Sequence, residues 1–291
     1  MAAIGHVSGL RRRRARIAWL CMIPLILVNL LVIVGPAVQS IYYSFTSWDG
    51  LSSAHWVGLA NYVDLVQDPQ FVQGLLHNIE WTIIFLIVPM VMGLFGAYLL
   101  TMIKRGRALF RVIFFLPYVV ASVVVAAIWQ RLLAPHHGFA SLFKINFLGD
   151  THTALWSVAF INNWAWWGFL LVVFLAAMQG VNPSLYEAAE LDGAGHWAKF
   201  VSVTLPAIRP TFMFLALMTI IWSFLVFDYI YILTQGGPAG STDMLSTVLY
   251  RAAFSEQQAG YGAAIGVVMA VISGIVIAAF RIFQRVRRWD V

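Results

Sequence analysis

Hydrophobic residues along this chain gather into six long runs, and polar segments rich in Gly, Pro and charged residues separate them. Each run is long enough for an α-helix to cross a membrane, which takes about 20 residues. Apolar and polar positions do not alternate within the runs, which excludes a membrane β-barrel. The pattern therefore predicts an all-α membrane protein. The predicted spans lie at about 17–39, 78–103, 108–133, 154–180, 208–234 and 261–283.

Composition supports this prediction, because 61% of the residues are hydrophobic and only 10% are charged. Soluble domains carry about 25% charged residues. The first run is too long for the apolar core of a signal peptide and no small-x-small cleavage site follows it, so we interpret it as a span. No internal repeat is evident. We expect one transmembrane domain at 17–283, between basic tails at 1–16 and 284–291.

Basic residues are distributed unevenly between the two ends of the predicted bundle. All but three of the 18 Lys and Arg residues fall at one end, and the exceptions are Arg131, Lys144 and Arg251. Because cytoplasmic loops carry the excess of Lys and Arg, both termini and the loop between spans four and five are predicted to be cytoplasmic. The net charge of +6 follows from this topology, and we expect no nucleic-acid partner.

A polar segment at about 182–206 interrupts the apolar pattern between spans four and five. Asn182 followed by Pro183 is typical of a helix start. Gly193 and Gly195 are predicted to end that helix, because glycine adopts the left-handed conformation at little cost. A second short helix then leads into span five. Periodicity alone leaves two interpretations open: an interfacial helix-turn-helix that caps the bundle, or a surface that docks a partner.

The order Glu-Ala-Ala, Asp-Gly and Leu-Pro in this segment resembles the cytoplasmic coupling loop of ABC importer permeases. In that family the loop docks into a cleft of the ATPase subunit and transmits its closure to the spans. On such a docking surface the Glu187 carboxylate can pair with a basic residue of the partner. The residues that match the motif are Glu187, Ala188, Ala189, Asp192, Gly193, Leu205 and Pro206.

Segments of the first and last predicted external loops are similar to the carbohydrate branch of binding-protein-dependent permeases, the relatives of the maltose and glycerol-3-phosphate transporters. The resemblance implies a six-helix permease bundle in a bacterial cytoplasmic membrane. It also implies a second permease, two ATPase subunits and an extracytoplasmic sugar-binding protein. The extra helices and external domain of the larger maltose-type permease are missing from this chain, so the details of that site do not carry over. The similar segments are Tyr43-Ser44-Phe45-Thr46, 57–62, 233–238 and 260–264.

The last external loop carries an apolar stripe at helical spacing, which predicts a short helix lying on the outer surface. Membrane anchoring and docking of the external binding protein are both open as its role. The stripe consists of Leu245, Val248, Leu249 and Ala252.

Polar side chains inside two predicted spans indicate where a substrate passes. Asn162 and Asn163 lie about 12 Å inside span four, and Asp228 lies about 9 Å inside span five, at 1.5 Å per residue. Amides and a carboxylate beside aromatic faces suit a sugar, which offers hydroxyls and an apolar ring face. The alternative is helix packing, with Asn as interhelical glue. The aromatic residues assigned to this pathway are Trp166, Trp167, Trp222 and Phe227.

The sequence contains no Gly-rich phosphate loop, so we expect no ATPase site in this chain, and ATP and Mg²⁺ are assigned to the partner ATPase subunits. His136, His137 and His152 lack carboxylate or thiol support, so we expect no metal site, and we find no catalytic constellation. The alternative function is an ion-coupled secondary transporter, which would require midplane carboxylates and broken helices in two repeated halves. Asp228 is the only clear intramembrane acid that we identify.

Overall fold

The computed structural model describes residues 19–103, 105–136 and 138–286. The predicted N-terminal tail at 1–16, Lys104, His137 and residues 287–291 lie outside these residues, so the predictions made for them stay predictions.

Helices make up most of the described residues, as predicted. Four helices are long and apolar enough to cross a membrane, and the number rises to six within the described ranges if each of two bent helix pairs is one span. A two-stranded antiparallel ribbon joins β1 (Thr46–Ser47) to β2 (His55–Trp56) in the first external loop. The helices are α1 (Trp19–Tyr43), α2 (Ala60–Gln67), α3 (Pro69–Met102), α4 (Arg107–Val119), α5 (Ser122–Leu132), α6 (Ala154–Gln179), α7 (Pro183–Leu191), α8 (His196–Ala207), α9 (Arg209–Phe224), α10 (Asp228–Leu233), α11 (Leu245–Tyr250) and α12 (Ala259–Val286).

The core forms where α3, α4 and α6 pack together. Glycines allow this close approach. A Cβ at Gly93 of α3 would lie 2.7 Å from the Cβ of Leu170, and one at Gly168 of α6 would lie 1.8 Å from the carbonyl oxygen of Phe114. Small residues at helix contacts are expected where lipid supplies no hydrophobic driving force between helices. The centre of the protein is therefore tightly packed, and the helices around it are less buried.

Span three, predicted over about 108–133, consists of two helices with a break between them. Helix α4 ends at Val119, α5 begins at Ser122, and the two axes differ by 93°. Val120 and Ala121 have extended ψ angles of 134° and 136°. Pro117 lies in the last turn of α4, and a proline removes one backbone donor and disturbs the preceding turn. Helix α4 nevertheless continues through Pro117 to Val119, and the break lies after it, so the predicted span is present as a bent pair of helices.

Span five, predicted over 208–234, is interrupted at 225–227 between α9 and α10, and α8 meets α9 at an angle of 68°. Two carbonyls near the interruption find partners from other elements. The Ser223 oxygen accepts from the Asn78 side-chain amide at 3.2 Å, and the Val226 oxygen accepts from the Ser246 hydroxyl. Irregular backbone at membrane depth is tolerated where its polar groups are satisfied inside the protein.

The predicted short helix of the last external loop is present as α11, but its apolar stripe is not on the membrane surface. Leu245 and Val248 are buried in a cluster with residues of α3 and α12. The Leu245 N–H donates to the side-chain oxygen of Asn78 at 2.8 Å. Arg251 pairs with the buried Asp243 at 2.8 Å. The expectation of a surface helix was therefore wrong, since this segment packs into the outer end of the bundle.

Candidate functional site

The polar segment between spans four and five begins as predicted. The Asn182 side chain accepts the Ser184 N–H at 3.1 Å, and Pro183 is the first residue of α7. The helix ends at Leu191, and Gly193 follows with φ of +79°, in the left-handed region. Gly195 differs from the prediction, because its φ of −71° and ψ of 175° are extended. Only Gly193 of this pair uses the conformation that favours glycine.

Helix α7 presents its side chains to solvent, and none of its residues is buried. Glu187 and Ala188 are exposed and Ala189 is half-buried. Leu185 and Leu191 are 49% and 90% exposed, so the described chain leaves two leucines of this helix uncovered. Burial alone does not separate a cap on the bundle from a docking surface, so docking stays a prediction.

Helix α8 connects this segment to the spans. The Tyr98 hydroxyl of α3 donates to the His196 carbonyl at 3.1 Å, and the Tyr98 ring lies 4.4 Å from that of Phe200. Lys199 pairs with Glu190 at 2.5 Å, and this hydrogen bond lowers the pKa of the Glu190 carboxyl. The other motif residues lie at its two ends, with Asp192 before α8 and Leu205 and Pro206 in its last turn.

The interruption of span five lines a cavity of about 280 Å³. The cavity brings together five of the residues predicted for the substrate pathway, from two predicted spans. Those five are Asn162, Trp166, Trp222, Phe227 and Asp228. Tyr229 and Phe85 complete its aromatic walls, and sequence reasoning did not indicate Phe85.

Ser122 is a further residue of this region that sequence reasoning missed. Its hydroxyl donates to the Asp228 carboxylate at 2.7 Å. Ser122 begins α5 and Asp228 begins α10, so this hydrogen bond joins the two interruptions. The sequence could have indicated Ser122, because it carries the one hydroxyl in the apolar run 119–128. Polar groups at membrane depth usually face a partner or a pathway.

Asn163 and Trp167 do not line that cavity. Asn163 is buried, and its side-chain oxygen has no hydrogen-bond partner among the described residues. Trp167 packs against Phe114 of α4 at 5.0 Å between ring centroids, and it contacts the region of Gly96 on α3. Both residues lie at helix contacts in the structure.

A second polar cavity, of about 360 Å³, opens nearer the external loops. His77, Glu80 and His152 line it, together with Trp156. Glu80 stands two residues inside the predicted second span, and the sequence reasoning overlooked this acid. Within the described ranges, His, Cys, Asp and Glu side chains form no group of three or more suited to a metal.

Known proteins are similar to this chain over most of its length. The family described as "Binding-protein-dependent transport system inner membrane component" matches residues 90–289. The probable ABC transporter permease protein YurN of Bacillus subtilis (strain 168) is 33% identical, over 88% of this chain and 92% of its own. AmyD of Thermoanaerobacterium thermosulfurigenes, a probable starch degradation products transport system permease protein, is 29% identical over 89% of this chain and 90% of its own.

The fold is also known from an experimental structure. A chain in the crystal structure of a bacterial ABC transporter involved in the import of the acidic polysaccharide alginate superposes with a TM-score of 0.85. The two chains are 24% identical, and the superposition covers 94% of this chain and 96% of the other. At this identity the likeness concerns the fold.

The family match includes the Glu-Ala-Ala segment and both interrupted spans, and it confirms the resemblance found in the sequence. The ion-coupled alternative was wrong, even though broken helices also occur in secondary transporters. The chain is a multi-pass protein of the cytoplasmic membrane. It belongs to the family of inner membrane components of binding-protein-dependent transport systems, as the permease subunit of an ABC importer.

Proposed function

We propose that this chain forms half of the translocation pathway of a sugar importer. The cavity at the interruption of span five supports this, because the Asp228 carboxylate and the Asn162 amide share its lining with the rings of Trp166 and Trp222. A sugar can use both kinds of group, its hydroxyls bonding to the polar atoms and its apolar face lying on an aromatic ring. The name of the relative AmyD, which refers to starch degradation products, points to the same substrate class.

We propose that α7 couples sugar movement to ATP hydrolysis. The observation that carries this proposal is the exposed helix with an uncovered apolar end at Leu191. ATP and Mg²⁺ would be held by two partner ATPase subunits, because this sequence lacks a Gly-rich phosphate loop. The residues proposed to transmit the motion are those of the motif, Glu187, Ala188, Ala189, Asp192, Gly193, Leu205 and Pro206.

The remaining partners follow from the two ends of the bundle. Arg107 and Lys199 line one cavity together with residues of α7. The basic loops that carry these two residues therefore lie at the same end of the bundle as α7. That end is cytoplasmic by the positive-inside rule, and both termini would lie there. A sugar-binding protein would dock at the opposite, external end. Helix α1 has no buried residue in its most apolar stretch, which leaves its surface to lipid and to a second permease.

The test is co-purification of the tagged chain in mild detergent with its partners identified by mass spectrometry. We expect an ATPase and a second permease, and a co-purified binding protein can be screened for its sugar. Leu191→Glu should release the ATPase while the chain still inserts. Leu142→Glu is the matched control, since Leu142 is 75% exposed at the other end of the molecule. Recovery of the chain alone, under conditions that preserve other membrane complexes, would contradict the proposal.

A further inference from the structure

A cavity of about 370 Å³ lies beside the Glu-Ala-Ala segment, where the ends of α3 and α6 meet α4, α7 and α8. Neither the sugar pathway nor the docking surface of α7 accounts for it. Its lining combines apolar side chains with polar and charged ones. The polar members include Thr101, Arg107, Gln179, His196 and Lys199, and Glu190 is its one carboxylate.

Arg107 is held in place at the wall of this cavity. Its Nε donates to the Ile103 carbonyl at 3.2 Å, and one terminal nitrogen donates to the Thr101 carbonyl at 2.8 Å. A guanidinium carries five N–H donors, so these two bonds leave donors for a ligand. Because these two hydrogen bonds fix the planar guanidinium group before any ligand arrives, less side-chain entropy is lost when a ligand binds.

Lys199 brings a second positive charge to the cavity, and its side chain is only 14% exposed. Glu190 pairs with it at 2.5 Å but is 62% exposed, so the carboxylate lies toward the rim. The ammonium group has three donors, and the pair uses one of them. Arg107 and Lys199 together therefore outweigh the single carboxylate of the lining, and the cavity attracts an anion.

Apolar side chains share this cavity with the cations. Met102 and Met178 stand at the ends of α3 and α6, and Phe200 of α8 lines the cavity with them. Trp197 is 63% exposed, with its ring 5.3 Å from that of Phe200, as suits a residue at the level of lipid headgroups. Cations next to apolar surface at the end of a span match an amphiphilic anion better than a small soluble one.

We propose that this cavity binds the phosphate group of an anionic phospholipid. Arg107 and Lys199 would contact the phosphate, and Met102 and Phe200 would contact the start of the acyl chains. Basic pockets between transmembrane helices are known to hold anionic headgroups. A lipid in this position touches both α3 and α8, and so stabilises the contact between the spans and the coupling segment.

The test measures the binding of labelled phosphatidylglycerol to the purified, delipidated complex, as lipid retained on gel filtration. It is run at about 0.5 M salt, because diffuse attraction between exposed charges is then screened within a few ångströms. Arg107→Gln and Lys199→Gln should each weaken binding about tenfold, as expected for the loss of a hydrogen bond to a charged group. Both variants are measured because Arg107 also bonds to backbone carbonyls, so a loss of binding in Arg107→Gln alone would not separate phosphate contact from local structure.

Arg105→Gln is the matched control, since Arg105 is exposed and does not line the cavity. It should change the affinity less than twofold. Equal losses in all three variants would overturn the proposal in favour of diffuse attraction to the membrane. Unchanged binding in Arg107→Gln and Lys199→Gln would also overturn it.

The source of the phosphate is tested by competition. Phosphatidylcholine and inorganic phosphate should fail to displace the labelled lipid, whereas unlabelled phosphatidylglycerol should displace it. Displacement by millimolar inorganic phosphate would overturn the lipid assignment in favour of a soluble phosphate ligand. The measurement uses neither ATP nor sugar, so its outcome is independent of whether the proposed sugar transport is correct.

Discussion

At the scale of single residues, this protein places a few polar side chains at membrane depth, where burying them is costly. An acid at the centre of a membrane helix costs on the order of 3 kcal/mol, and such residues usually face a cavity or a partner. Asp228 meets both conditions, since it lines the central cavity and accepts a hydrogen bond from Ser122. Its carboxylate therefore has a structural partner and also faces open space.

Asp228→Asn should raise the sugar concentration for half-maximal uptake roughly tenfold, because hydrogen bonds to charged groups contribute about 1.5–3 kcal/mol. The measurement is uptake of labelled sugar by whole cells with equal amounts of inserted protein. Asp150→Asn is the control, since Asp150 is exposed and Asn retains the acceptor for the His152 N–H. Unchanged uptake and affinity in Asp228→Asn would leave Asp228 with only its bond to Ser122, as a packing residue.

Gly193→Val should abolish uptake while the chain still inserts. The φ of +79° at Gly193 costs an L-residue about 1–2 kcal/mol, so the link between α7 and α8 must rearrange. Gly195→Val is a close control, because Gly195 is extended and a Cβ at either position would have no other atom within 4 Å. Comparing uptake in the two variants isolates the backbone conformation from side-chain bulk. Normal transport by Gly193→Val would remove the coupling role.

At the scale of elements, the arrangement of α3 and α8 explains how motion of α7 could reach the spans. Helix α8 is short and runs directly into α9 through the bend at Ile208. Tyr98 fixes its first turn to α3 by one hydrogen bond and one ring contact. Under the proposed coupling role, a displacement of α7 would reach two spans, through α8 into α9 and through Tyr98 into α3.

Tyr98→Ala should lower the amount of sugar transported per ATP hydrolysed, because it removes both the ring contact with Phe200 and the bond to His196. Tyr98→Phe keeps the ring and loses only a neutral hydrogen bond of about 1 kcal/mol, so its effect should be small. Sugar transport and ATP hydrolysis are both measured in proteoliposomes with the complete complex. If Tyr98→Ala transports as much sugar per ATP as the wild type, the link from α8 to α3 carries no coupling.

At the scale of the whole molecule, the fold leaves surfaces that a single subunit cannot cover. The apolar stretch of α1 buries none of its residues, and α7 is exposed at the basic end. The outer end, by contrast, is held together by α11 and the pair of Arg251 with Asp243. This asymmetry fits a subunit whose flanks and basic end contact other chains.

The orientation of the molecule can be tested with its single cysteine replaced, in a Cys21→Ser background. Asp64→Cys in α2 should react with a membrane-impermeant maleimide on intact cells, whereas Arg105→Cys, in the basic loop at the same end as α7, should react only after permeabilisation. Both positions are exposed, so reactivity reports the side of the membrane. The opposite labelling pattern would invert the proposed topology and place α7 outside the cytoplasm.

The sequence by itself determined the features that depend on neighbouring residues. The all-α fold and the approximate spans followed from long apolar runs, because a membrane helix must satisfy its own backbone. The start of α7 at Asn182 and Pro183 and the left-handed Gly193 followed from local capping rules. The Glu-Ala-Ala motif also indicated the family.

Only the tertiary structure decided where spans three and five are interrupted. The carbonyls near 225–227 are satisfied by Asn78 and Ser246, whose distance along the chain hides them from any local pattern. For the same reason Ser122 could not be paired with Asp228, nor Arg107 brought to the same cavity as Lys199, from the sequence. A side chain's neighbours in sequence predict its helix, but the cavity it faces is set by packing between helices that are far apart along the chain.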